Sequence, residues 1–231
     1  MPEGAAANAA VLETGPWFRG LPPALQAWLL HNGQTRVLAA EERLFSRGDP
    51  PCGLYAVLQG AVRITGVSAE GREALLILME PPHWFGEIAL FDGLPRTHDA
   101  VADRRSLVLH VNQGALGRLV GEQPAAWHAF GLLLTQKMRL TFLAMEELAL
   151  LPAPARLARR LLMIAQDYGD QHQDGRRLIA VRQEQLAMML ALSRQTTNQI
   201  LRDLELRGVA RLTRGEIEIL DFEQLRIAAM V

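Results

Sequence analysis

RQEQLAMMLALSRQTTNQILRDLELRGVARLTRGEIEILD, residues 182–221, changes its hydrophobic period twice. Leu186, Ala187, Met189 and Leu190 put one apolar face on a first helix. Ala191-Leu192-Ser193 then breaks it, and Ser193 is a natural N-cap for a second helix. In that second helix Thr197, Ile200, Leu201 and Leu204 fall on the inner face, while Arg194, Gln195, Asn198, Gln199 and Arg202 share the opposite one. Gly208 ends it. VARLTRGEIEIL follows with the alternation of a hairpin, turning at Thr213-Arg214-Gly215. Helix, tight turn, helix and hairpin make a winged helix-turn-helix.

A helix fits the major groove of DNA, and Arg, Gln and Asn carry the paired donors and acceptors that match guanine and adenine edges. Any soluble helix has a polar solvated face, so the second helix alone decides nothing. The capped turn, the guanidinium and amide groups at the helix start and a basic wing tip at Arg214 together point to double-stranded DNA. The charge distribution has the matching sign. Residues 1–151 hold 12 Lys+Arg against 15 Asp+Glu (−3), and residues 152–231 hold 12 Arg against 10 Asp+Glu (+2).

Upstream, ARLARRLLMIAQDYG reads as a helix ended by Gly169, with a strand LIAV (178–181) after a polar loop. Pro152-Ala-Pro154 interrupts the helical pattern and marks a domain boundary. Before it, Pro124 opens a long helix to residue 151. Positions 127, 130, 134, 137, 141, 144 and 148 follow a 3-4 spacing and read Trp, Phe, Leu, Lys, Thr, Ala, Leu. This is either a helix buried on its own domain or a coiled-coil-like seam with two flaws, Lys137 and Thr141, and hence a parallel homodimer. A polar residue on an apolar seam lowers stability unless it sets register or touches something bound there.

From about residue 35 to 113 the text is strand-like: YAVLQG and AVRITGVS flank Gly60, EALLILM follows a turn at Ala69-Glu70-Gly71, and SLVLHV closes the series. Short runs split by Gly, Pro and Asp suggest an antiparallel sandwich or roll. One stretch, FGEIALFDGLPRT (85–97), breaks that rhythm with helix-tolerant residues and gathers Glu87, Arg96 and Thr97 among small and apolar neighbours. The first residues, MPEGAAANAAVLETG, lack the basic and apolar regions of a signal peptide and read as a mobile leader with nothing to bury.

Composition narrows the classes. The chain has 231 residues, enough for two domains, with 49% hydrophobic and 21% charged residues. No apolar run approaches the ~20 residues of a spanning helix, so no membrane role is expected. Cys52 is the single cysteine, which excludes an intrachain disulfide and any multi-thiolate cluster, and fits a reducing cytoplasm. The six histidines (31, 83, 98, 110, 128, 172) form no ligand spacing, and G-x-S-x-G, H-E-x-x-H, Walker A and G-x-G-x-x-G motifs do not occur, so neither an enzyme nor a metal protein is expected.

On GEIALFDGLPRT (86–97), LSRQTTNQILRDLE (192–205) and RGEIEILD (214–221), the sequence resembles the cyclic-AMP receptor/FNR (Crp-Fnr) family of bacterial transcription regulators over about residues 17–229. The resemblance implies an α+β architecture. Residues 1–16 would be a mobile leader, 17–123 a cyclic-nucleotide-binding β-roll (a double-stranded jelly-roll), 124–151 a dimerisation helix and 152–231 the winged helix-turn-helix. It further implies a homodimer that binds a palindromic operator and contacts RNA polymerase. By position Arg194 matches the family's base-contacting arginine, and Gln183 lies among its backbone contacts. Gln195 and Gln199 depart from the best-known member, so the operator is expected to differ. Ala191 replaces the usual turn glycine, which is tolerable if its backbone stays at negative φ.

The same resemblance makes residues 86–97 a phosphate-binding cassette. A cyclic nucleotide such as cAMP presents one negative phosphate, a ribose hydroxyl and a flat base. Arg96 would fork onto the phosphate, Thr97 add a hydroxyl donor, and the N–H groups of Ile88 and Ala89 face the anion. Glu87 would accept from the ribose hydroxyl, while Gly86 and Gly93 let the backbone come close. Thr141 lies where the family's adenine-contacting threonine lies, with Phe142 beside it in place of a second hydroxyl. His98-Asp99 replaces the family's usual alanine-threonine, and Asp99 would compete with phosphate for the arginine. The bland alternative is that Glu87 and Arg96 pair to close a turn. Two further regulators share the fold: one with haem on His83 or His98 sensing a gas, and one with no effector that binds DNA constitutively.

Overall fold

The computed structural model describes residues 3–71, 73–167, 170–171, 177–179, 181–213 and 215–230. Arg214 and Gly169 lie outside the described residues. The chain divides into two units, one of residues 1–72 and 76–140, the other of 73–75 and 141–231.

From the N-terminus through α6, whose residues 141–150 with 73–75 of β5 belong to the second unit, helices α1 (Glu3–Glu13), α2 (Pro16–Arg19) and α3 (Pro23–Asn32) precede strands β1 (Gly33–Leu38), β2 (Arg43–Phe45), β3 (Gly53–Gln59), β4 (Val62–Val67), β5 (Glu73–Met79) and β6 (Trp84–Phe85). A one-turn helix α4 (Ile88–Asp92) interrupts them before β7 (Asp99–Ala102) and β8 (Ser106–Asn112), and α5 (Gln113–Glu122) and α6 (Ala126–Leu150) follow. The strands form two four-stranded sheets, β1-β8-β3-β6 and β2-β7-β4-β5.

The sequence of β3, GLYAVLQ, is apolar on both faces because both faces are covered. Tyr55 and Val57 join Phe45, Val62, Met79, Phe85, Ala100 and Val108 in a core between the two sheets. Leu54, Ala56 and Leu58 point the other way, into a cluster with residues of α1–α3, α5 and α6. That second cluster corrects the reading of the first 16 residues as a mobile leader. Its alanines favour helix, and Leu12 is fully buried beside Phe18 and Leu21, an anchor that composition hid.

The long helix divides between the two readings of its seam. Ala126, Ala129, Phe130 and Leu133 are buried in the first unit's core, and the Trp17 indole N–H donates to the Ala129 carbonyl at 2.8 Å. Farther along, Met138, Phe142, Leu143, Met145 and Leu148 are exposed. The 3-4 spacing therefore does not describe one continuous seam: Phe130 packs inside its own unit. Among the described residues no helix is long and apolar enough to cross a membrane.

The second unit contains α7 (Ala153–Asp167), β9 (Asp170–Gln171), β10 (Arg177–Ile179), α8 (Gln183–Met189), α9 (Arg194–Leu206), β11 (Ala210–Thr213), β12 (Glu216–Ile219) and α10 (Phe222–Ala228). The sheet order is β11-β12-β10-β9, and β11 pairs antiparallel with β12 as the wing. Leu186, Leu201, Leu204, Ile217 and Ile219 are buried, and α10 is tied to α7 where the Arg159 Nε donates to the Ala229 carbonyl at 2.9 Å. Ala191 corrects the sequence reading. Its φ is +52°, the left-handed region, because the turn between α8 and α9 needs that bend whether or not a glycine supplies it.

Candidate functional site

Residues 86–89 and 95–98 line one wall of a cleft of about 140 Å³ in the first unit. Phe45, Ile64, Ile77, Met79 and Phe85 supply its apolar lining, and Lys137 of α6 closes one side. The polar groups are Glu87, Arg96, Thr97, His98 and Lys137.

Arg96 is 5% exposed. Its Nη1 donates to the Gly86 carbonyl at 2.8 Å, and its Nη2 donates to the Gly53 carbonyl at 2.5 Å and to Cys52 Sγ at 3.0 Å. The guanidinium lies 4.5 Å from the centre of the Phe45 ring, a cation–π contact. Among the described residues no carboxylate lies within ion-pair distance of it, and its Nε is buried without a hydrogen-bond partner. Carbonyl dipoles, the Cys52 sulfur and a ring face surround this buried cation without cancelling its charge.

Gly86 makes that seat possible. Its φ is +101°, and a Cβ there would stand 2.7 Å from the Gly53 carbonyl and 3.1 Å from Arg96 Nη1. Gly93 differs from expectation: a Cβ there would meet nothing within 4 Å, and the residue serves α4 through its left-handed φ of +66°. Ile88 and Ala89 open α4, where N–H groups have no partner within the helix.

Glu87 is 2% exposed and pairs with Lys137, not with Arg96: Nζ donates to Oε2 at 2.7 Å. The alternative of a Glu87–Arg96 bridge is thereby corrected. Burial pushes the Lys137 ammonium below its ordinary range, although the Glu87 carboxylate pulls it back up. Asp99 does not compete for Arg96 either. Its carboxylate accepts from the Arg47 backbone N–H at 2.7 Å and stands 3.8 Å from Arg43. Thr97 Oγ1 and His98 Nδ1 share a hydrogen bond of 2.9 Å. Thr141 lies one helical turn beyond Lys137 and is exposed, as is Phe142 at 63%.

On the second unit, Ser193 Oγ accepts from the Thr196 N–H at 3.0 Å, so this hydroxyl is an N-cap. Thr197, Leu201 and Leu204 are buried, which turns Arg194, Gln195, Gln199 and Arg202 to solvent. Asn198 is half-buried, and its Oδ1 lacks a hydrogen-bond partner. Gln183 is half-buried in the first turn of α8. At the wing, Gly215 has a φ of +91°, and Thr213 Oγ1 donates to the Glu216 carbonyl at 3.2 Å.

Sequence reasoning missed Lys137 as a partner of Glu87 and missed the carbonyls of Gly53 and Gly86 as partners of Arg96. The one signal for Lys137 was its place as a flaw on an apolar stripe. Among the described residues no group of three or more His, Cys, Asp or Glu could hold a metal ion.

A model of the cyclic nucleotide-binding domain matches residues 35–123, and a model of the Crp-like helix-turn-helix domain matches residues 155–227. A CRP-like cAMP-activated global transcriptional regulator of Mycobacterium tuberculosis is 31% identical over 209 residues, covering 90% of this chain and 93% of that protein. A cyclic AMP receptor protein of Thermus thermophilus is 30% identical over 209 residues, covering 90% and 94%. Among solved structures, a transcriptional regulator of the CRP/FNR family from Thermus thermophilus superimposes with a TM-score of 0.71 at 25% identity, covering 86% of this chain and 99% of that one. FixK2 of Bradyrhizobium japonicum shares the fold, with a TM-score of 0.77 at 19% identity over 86% and 98%. The two domains match in this order and the relatives cover nearly the whole chain, and the chain belongs to the Crp/FNR family of transcription regulators, which are not enzymes.

Proposed function

We propose that the protein is a homodimer that binds a two-fold symmetric DNA operator under the control of cAMP. The observation that carries the effector reading is Arg96, a buried guanidinium at the wall of a cleft with no carboxylate partner among the described residues. Arg96 and Lys137 carry two positive charges and Glu87 one negative. One phosphodiester charge would balance that sum. Arg96 and Thr97 would hold the phosphate together with the N–H groups of Ile88 and Ala89, while Glu87, oriented by Lys137, would accept from the ribose hydroxyl. The two relatives of about 30% identity are described as cAMP-activated or as a cyclic AMP receptor, which supports the same ligand.

The exposed apolar residues of α6 (Phe142, Met145 and Leu148 among them) favour a second copy as their cover. In such a dimer Arg194, Gln195, Asn198, Gln199 and Arg202 of each α9 would enter successive major grooves, with Gln183, Ser193 and Arg214 close to the backbone. Ligand would act by population shift, favouring the arrangement in which both helices reach the duplex, and the bound protein would contact RNA polymerase.

Calorimetric titration with cAMP, with cyclic GMP as control, tests the effector. Saturable binding by cAMP that Arg96→Leu abolishes, in protein shown to be folded, is the expected result. Absence of heat with either nucleotide, in ligand-free folded protein, would refute it and leave a regulator with another effector or none. Affinity for a duplex selected from a random pool, measured with and without cAMP, tests the coupling.

A further inference from the structure

His98 stands in the cleft with its Nδ1 2.9 Å from the hydroxyl of Thr97, the group assigned above to the phosphate. A hydroxyl has one proton to donate. When the imidazole is neutral with its proton on Nε2, Nδ1 is an acceptor and takes the Thr97 proton, leaving that hydroxyl nothing to give an anion. When the imidazole is protonated, Nδ1–H must donate to Thr97 Oγ1, and the threonine proton is released toward the cleft. The imidazolium also adds a positive charge beside the anion. Both effects act in the same direction.

We propose that His98 is a ligand-positioning residue that sets the hydrogen-bonding direction of Thr97, so that the cleft takes its anionic ligand with uptake of a proton. The inference rests on the cyclic-nucleotide reading of the same cleft.

The charges around the ring fix the working range. Arg47, in the loop after β2, repels the imidazolium, and the neighbouring Asp99 on β7 favours it. Asp99 is itself occupied by the Arg47 N–H and lies 3.8 Å from Arg43. On β4, Gly66 stands beside the ring, where a Cβ would lie 3.6 Å from His98 Cδ2, and it brings no charge. Arg96, Lys137 and Glu87 share the cleft with a net positive sum. Burial foremost, then Arg47, holds the free His98 below the ordinary imidazole value of 6.5, so it is mostly neutral at pH 7.5. An anion bound beside it favours the imidazolium and raises its pKa. Affinity is therefore higher below the free pKa and falls as pH rises through the bound one.

The test is titration of the full-length protein with cAMP between pH 5.5 and 7.5, in two buffers of different ionisation enthalpy. The wild type should bind about tenfold more tightly at the lower pH and take up a fraction of a proton per ligand, since each pH unit of pKa displacement is worth a factor of ten. His98→Gln should still bind, with affinity and buffer dependence flat across the range. Should that variant not fold by circular dichroism, the His98 ring signal followed by NMR supplies a second reading. It should titrate about one pH unit higher with cAMP bound than without. Binding by the wild type without a pH slope, a slope retained in His98→Gln, or an unmoved His98 titration overturns this inference alone. No cAMP binding at any pH overturns the cyclic-nucleotide reading and this inference with it.

Discussion

Lys137→Met is the perturbation whose magnitude the structure constrains best. The Lys137 Nζ lies 2.7 Å from Glu87 Oε2, and the two side chains are 26% and 2% exposed. Removing the cation leaves a carboxylate in the core with no counter-charge. Breaking a buried pair from one side costs roughly 3–5 kcal/mol, whereas replacing both partners by neutral groups is close to neutral. Because a quarter of the lysine side chain reaches water, the low end applies, about 3 kcal/mol. Glu87→Gln should also destabilise by removing the carboxylate that the Lys137 ammonium donates to, and Glu87→Gln with Lys137→Met should recover most of the loss. All four tryptophans lie between residues 17 and 127, so their fluorescence in urea reports the first unit alone. Single variants within about 0.5 kcal/mol of wild type, or a double variant equal to the sum of the singles, would refute the buried pair.

Ala191→Gly should stabilise the turn between α8 and α9 by about 0.5–1 kcal/mol, since alanine is held at φ +52° where glycine has no Cβ to clash; slower amide exchange in α8 and α9 of the intact chain reports it, and unchanged exchange contradicts it. Burial holds the His83 imidazole down at about 4 against an ordinary 6.5, a hydrogen bond to the Glu80 carbonyl opposing that and Lys137 adding to it. A depressed folded pKa means that the unfolded chain takes up the proton first. Stability is therefore full above pH 6.5 and declines toward pH 4 by up to about 3 kcal/mol, a slope that His83→Asn should remove from urea titrations. Arg194→Ala should weaken binding to a selected operator by about 1–3 kcal/mol in fluorescence anisotropy while leaving cAMP titrations unaltered; equal affinity for the selected and a scrambled duplex in the wild type would remove the basis for that expectation.

The elements legible in the sequence are those whose cause is local. Ser193 caps α9 three residues before the N–H it accepts from, and the inner face of α9 follows from a spacing of three and four. The sheets were legible for a related reason: period-two alternation in β3 sends odd and even side chains to two different cores, and glycines mark the turns. Where a local pattern fits two environments, sequence did not choose. The stripe on α6 suits an intramolecular core and a helix–helix seam equally, and the helix uses it for the former up to Leu133. The alanines at the start lacked visible apolar content because one leucine, Leu12, does most of the anchoring. At Ala191 composition misled: a non-glycine residue normally signals negative φ, but the turn geometry overrides that preference at a cost of about 1–2 kcal/mol.

The cleft shows the same limit at its chemical groups. Gly86, Glu87, Arg96 and Thr97 fall in one short motif, so residue type and spacing sufficed to single them out. Their partners did not. Gly53 is 43 residues from Arg96, and Lys137 is 50 residues from Glu87. Each pairing exists because strand register, β3 against β6 and β8, or the packing of α6 brings distant backbone together. Lys137 nevertheless left a trace. A lysine on an otherwise apolar stripe loses hydration and needs a compensating anion, and the sequence motif contained one carboxylate, Glu87, among small and apolar residues. Among the described residues that pairing leaves Arg96 without a carboxylate, and on the function proposed above its remaining positive charge would be the one that meets the anion.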